Sequence, residues 1–91
     1  MNEFAGVVTD IRLESRVDGT ALWQMAVSGS TFRAGDTGVL EAVARSGTRL
    51  TIPVLGVSAD GESGEMWHQV EKPLAAGTAV TGRVKESGLE R

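Results

Sequence analysis

The chain contains no cysteine. That excludes disulfide staples and thiolate metal sites, and it suits a reducing compartment. No apolar run approaches the length needed to span a membrane. The start, Met1-Asn2-Glu3-Phe4, lacks the basic residues and apolar stretch of a signal peptide, so the expected location is cytoplasmic. A basic excess is also missing: 9 basic against 12 acidic side chains give a net charge of -3. Proteins that live on nucleic-acid phosphates usually carry a clear positive surplus, so the balance argues against non-specific RNA or DNA binding. No Gly-x-x-x-x-Gly-Lys-Ser/Thr loop occurs, which leaves no phosphate cradle for GTP. Proline is scarce, with 2 residues, whereas glycine is frequent, with 12.

What is present reads as one domain over residues 1–91, large enough for a modest core. Short runs rich in β-branched residues alternate with glycine turns, and no stretch sustains helical spacing. In Phe4–Leu13, Val7, Ile11 and Leu13 share one parity while Phe4 and Val8 take the other, so a β-bulge near Gly6–Val8 is expected. Asp18-Gly19 marks a turn. Thr20–Ser28 alternates cleanly, with Ala21, Trp23, Met25 and Val27 on one face. A loop with Phe32 as its aromatic plug follows, then strands over Thr37–Arg45 and Thr48–Val57. Pro53 cannot donate to a ladder, which places it at an edge or bulge. Asp60–Gly64 reads as a polar loop, Glu65–Lys72 as a strand, and Thr78–Lys85 as a closing strand with Val80 and Val84 inward. The polar tail, Glu86–Arg91, is expected to fray. The sum is an all-β domain of six strands, closed or nearly closed into a small barrel.

The order of these signals resembles the second domain of translational GTPases such as elongation factor Tu. The likeness is carried by Val8-Thr9-Asp10-Ile11, Gly19-Thr20, Ser28-Gly29, Phe32-Arg33-Ala34-Gly35-Asp36, Leu50–Val57 and Ala76-Gly77-Thr78-Ala79-Val80, and it covers residues 4–85. Gly77–Val84 also looks like that family's opening motif, but no room for further strands follows it, so it is placed as the closing strand. The resemblance implies a six-stranded barrel and a partner in or near translation. The family's pocket for the aminoacylated end of tRNA is not carried over. Its glutamate falls at Ser58, its arginine near Gly61 and its asparagine at Ala79.

Candidate chemistry is thin. His68 is the only histidine, and no serine or carboxylate is placed beside it by any motif. The acidic loop Asp60–Glu65 does not match a calcium-binding spacing. No catalytic residue, metal or cofactor is therefore expected. Trp67 opposes Met66 and Val70 in parity, so a surface role comes into view. Arg83 and Lys85 share an outward face, and Arg45 and Arg49 flank a turn. Trp67, His68, Phe32, Arg33, Arg83 and Lys85 are the candidate contacts to a partner. The expected function is a stand-alone, non-catalytic binding module for a protein. The alternative is a barrel that binds RNA or a tRNA end through stacking and charge, which the acidity disfavours. Nothing in the sequence separates a monomer from a homodimer.

Overall fold

A computed structural model describes residues 2–44 and 46–85. The expectations for Arg45 and for the tail Glu86–Arg91 lie outside that range. Among the described residues the chain forms seven antiparallel strands in one sheet, and no helix is long and apolar enough to cross a membrane. The strands are β1 (Asn2–Val17), β2 (Thr20–Ser28), β3 (Thr37–Val43), β4 (Arg49–Val54), β5 (Gly56–Ala59), β6 (Met66–Val70) and β7 (Ala79–Lys85). Their order across the sheet is β4-β3-β7-β1-β2-β6-β5.

Local chemistry explains the first hairpin. Asp18 and Gly19 both take positive φ, 51° and 79°, as the tight turn between twisted strands requires. Register shifts fall between Val8 and Asp10 and between Leu13 and Ser15. The first shift carries the expected bulge to Thr9. It lets Val8 and Ile11 both face the core although their parities differ, and it leaves Val7 outward. The hairpin outruns its neighbours. β7 pairs β1 only as far as Val7, and β6 pairs β2 only from Trp23. The tip around Val17, 61% exposed, is thus a two-stranded ribbon.

The expected strand Thr48–Val57 is broken in the structure, and this makes seven strands out of six. Gly56 is the register partner of Gln69, and the Leu55 N–H also donates to the Gln69 carbonyl at 2.8 Å. Two residues therefore oppose one, which is a bulge that bends the chain. Before the bend the path pairs with β3, and after it the path pairs with β6. β4 and β5 form the two edges of the sheet, and no ladder joins them, so the sheet is not closed. Pro53 sits on an edge strand, as its missing N–H demands.

The core lies on the face carrying Val8, Met25, Leu40, Ile52, Val54 and Val70. Phe32 plugs it from the β2–β3 loop and is 2% exposed. Its ring meets Phe4 edge-on at 5.7 Å and the His68 ring edge-on at 4.9 Å. Phe4 in turn lies over its cross-strand partner Gly82, where any Cβ would collide with the ring. Replacing Phe32→Ala should cost about 3–5 kcal/mol, because transfer and cavity terms add. Val17→Ala at the ribbon tip should change stability by less than about 0.5 kcal/mol. Urea unfolding of both variants checks the contrast.

Candidate functional site

His68, on β6, is fully buried against β2 and the loop 29–36. Its Nδ1 lies 2.8 Å from the Met25 carbonyl oxygen. A carbonyl only accepts, so Nδ1 carries the proton and the neutral ring offers Nε2 as an acceptor. The Ser30 hydroxyl, 2.7 Å away, donates to it. The Ser30 oxygen also accepts the Phe32 N–H at 3.2 Å. The sequence places no serine near His68, and the structure corrects this: Ser30, 38 positions away, is in direct contact. The distance is that of a nucleophile and its base. However, the imidazole has no exposed surface on which a substrate could land. The pair ties the loop to the sheet and fixes the Phe32 plug.

Burial lowers the His68 pKa below the usual histidine value; the Met25 hydrogen bond and the Glu65 charge oppose that shift. Below pH about 6.5 the unfolded chain binds a proton that the folded chain resists. This contribution to stability is complete above that pH and is lost as pH falls from there toward the lower folded-state pKa. Urea midpoints measured between pH 8 and pH 5 should decline through this window, and the decline should shrink in His68→Gln.

Trp67 faces the opposite side of β6, away from the core. Its cross-strand partners are Ala26 and Ser58. It is nevertheless only 8% exposed, because the Arg12 guanidinium lies 3.9 Å above the ring centroid. Arg12 is itself held by Gln24 at 2.6 Å. The indole N–H is buried without a hydrogen-bond partner among the described residues. Trp67 is thus closed by its own chain rather than presented to solvent. In a Trp23→Phe background, Arg12→Ala should expose the Trp67 ring. Acrylamide quenching of its fluorescence should rise, with a stability loss of about 0.5–1 kcal/mol.

A wide hollow lies elsewhere, on the outer face of β3, β7 and β1. It measures about 670 Å³. Small residues form its floor: Ala5, Gly6, Thr78 and Ala79. Arg83 stands at one side, 3.0 Å from Glu3 and 3.6 Å from Glu41. Arg49 also lines the hollow and has no ion-pair partner among the described residues. Lys85 follows Arg83 by two positions on the same exposed face.

Of the six expected contact residues, the structure brings Arg83 and Lys85 together and adds Arg49 to Arg83. Phe32 and His68 touch each other, but inside the core rather than on a surface. Arg33 is exposed in a turn closed by Asp36, whose carboxylate accepts the Arg33 N–H at 2.8 Å. Trp67 is separated from Arg83 by β1 and β2. Sequence reasoning missed Arg12, Glu3 and Glu41, whose partners are brought near by the strand order, and Ser30, which the β2–β3 loop folds onto His68. Among the described residues no three metal-ligating side chains converge. The acidic loop is closed internally, with Asp60 accepting the N–H groups of Glu62 and Ser63. Those two bonds pull the Asp60 pKa down.

No protein-family model, curated protein or solved structure gives a significant match to this chain. The likeness to translational GTPases stands on motif order alone.

Proposed function

We propose that this chain is a non-catalytic docking module that binds a protein partner on the outer face of β3, β7 and β1. The observation that carries the reading is the hollow of about 670 Å³ with its small-residue floor and mixed-charge rim. A shallow surface of this kind accepts side chains from another protein. The lone Arg49 and the shared Arg83 supply polar anchors of the type enriched at such interfaces. Two carboxylates, Glu3 and Glu41, pair with Arg83 and in number balance Arg83 and Arg49, so these groups give no net positive charge of the kind that RNA phosphates favour. The single histidine uses both ring nitrogens in internal hydrogen bonds, which supports a binding role over a catalytic one.

The same proposal reads the sheet as an opened six-stranded barrel. Pairing directions support it: β4 and β5 run the same way, one directly after the other, along opposite edges. It also takes the cysteine-free chain as a cytoplasmic protein, with a translation-associated partner as the first to try.

The test is capture of partners from lysate by the tagged chain, with and without RNase, beside Ala79→Trp, which fills the hollow. Partners should survive RNase and fall about tenfold with Ala79→Trp, on the scale of losing one interface anchor. Partners that vanish with RNase would instead make the module an RNA binder. Partners indifferent to Ala79→Trp would move the interface to another surface.

A further inference from the structure

The loop 29–36 carries the chain from β2 to β3 and is exposed along most of its length. Phe32 alone of its residues is buried. Gly29 and Gly35 stand near its two ends with φ of 74° and 92°. Glycine enters that region without strain, so both positions can absorb a change of chain direction. β2 pairs with β1 and β6, and β3 pairs with β4 and β7. The loop itself belongs to no ladder, so it can lift while every strand stays paired.

Apolar and polar contacts hold the loop down together. The Phe32 ring packs edge-on against Phe4 and His68. The Gly35 N–H donates to the Val57 carbonyl at 2.9 Å, and the Ser30 hydroxyl donates to His68 Nε2 at 2.7 Å. Acid acts on the last of these directly. A proton on Nε2 makes both ring nitrogens donors. The Met25 carbonyl still serves Nδ1, but the Ser30 hydroxyl loses its acceptor. Its oxygen, which already receives the Phe32 N–H, must take a second N–H and turn its own hydrogen away. The ring would also hold a charge in a site closed to water, against Phe32 and its register partner Val57.

Few charges stand near enough to change this. β2, β5 and β6 carry no titratable side chain other than His68. β4, which also packs on β6, brings only Arg49, exposed on the outer face. The loop brings Arg33 and Asp36, and Asp36 is engaged with the Arg33 N–H. Glu65, just before β6, favours the charged ring but does not outweigh its burial.

We propose that the loop 29–36 is a hinged, acid-released flap. Protonation of His68 at Nε2 undoes the Ser30 latch, and the loop swings on Gly29 and Gly35 and draws Phe32 out of the core. The flap goes beyond the docking reading and does not depend on it, since the hollow lies on the outer face of β3, β7 and β1. In the open form water reaches Nε2, so His68 titrates near its ordinary value of about 6.5. Opening is therefore independent of pH well above that value and grows as pH falls from there toward the lower value of the closed form.

The test is amide hydrogen exchange of the intact, unaltered chain at pH 7.5 and pH 5.5, with and without low urea, each rate corrected for the intrinsic effect of pH. The Phe32 and Gly35 amides should exchange through an opening that low urea does not change. The Val8 amide, bonded to the Thr78 carbonyl, and the Leu40 amide, between β4 and β7, should exchange only with the urea dependence of global unfolding. Loop opening should increase by up to about tenfold from pH 7.5 to pH 5.5. His68→Gln should hold that change within about twofold. Ser30→Ala, which removes the latch and leaves the titrating ring, should raise Gly35 exchange about tenfold at pH 7.5. Loop amides that share the protection and urea slope of Val8 and Leu40 at pH 5.5 would overturn the proposal, because the loop would then open only with the whole fold. Loop exchange with no pH dependence beyond the intrinsic one, or a dependence that persists in His68→Gln, would overturn it as well. The measurement on the unaltered chain decides the matter even if His68→Gln fails to fold.

Discussion

The stretch Arg49–Ala59 serves both edges of the sheet, and the rest of the architecture answers to that demand. Its first half hydrogen-bonds to β3 and its second half to β6, so the two halves, β4 and β5, lie at opposite ends of the strand order. One extended segment cannot lie in two separate ladders without changing direction. The bulge at Leu55–Gly56 makes the change within one residue. The remaining strands must then curl until the two ends meet at that point. The curl brings the loop 29–36 over the end of β5, where the Gly35 N–H donates to the Val57 carbonyl at 2.9 Å. Phe32, on the same loop, fills the space enclosed.

A buried imidazole is tolerable only when both of its nitrogens are satisfied, because each stranded polar group costs on the order of 1–3 kcal/mol. His68 draws its two partners from different places, the Met25 carbonyl on β2 and the Ser30 hydroxyl on the loop. The same atoms that solvate the ring thereby hold the loop against the sheet. Packing and polarity point to one arrangement, with the Phe32 ring set edge-on to the ring it helps to bury.

Alternation and turn chemistry made much of this legible in advance. Met25 and Val27 face the core as their parity in Thr20–Ser28 requires, Asp18-Gly19 turns, Phe32 plugs, and Pro53 marks an edge. Even the break at Leu55 left a trace, since the buried positions Ile52 and Val54 are even-numbered and the next, Val57, is odd. Register was not legible, because it is set by contacts between distant segments. Arg12 covers Trp67 only because β1, β2 and β6 lie side by side, and Arg83 reaches Glu3 across 80 positions. Of the candidate contact residues, Arg33, Arg83 and Lys85 are exposed, whereas Phe32, Trp67 and His68 are buried. A tryptophan outside the core need not be free, and a lone histidine on a strand can be a fastening.

The position of β1 has a consequence for how the chain reaches this form. The N-terminal strand lies between β2 and the C-terminal strand β7, and β7 alone connects β3 and β4 to the remainder of the sheet by hydrogen-bonded pairing. During synthesis, β1 and β2 can pair early, and β5 and β6 can join them. The β3–β4 hairpin, although made before β5, has no strand to rest on until Ala79–Lys85 emerges. Pairings such as Glu3 with Arg83 close almost the whole length of the chain, and such distant closures fold slowly. β7, the last of these seven strands to be made, is thus the one that joins two half-sheets into a single sheet.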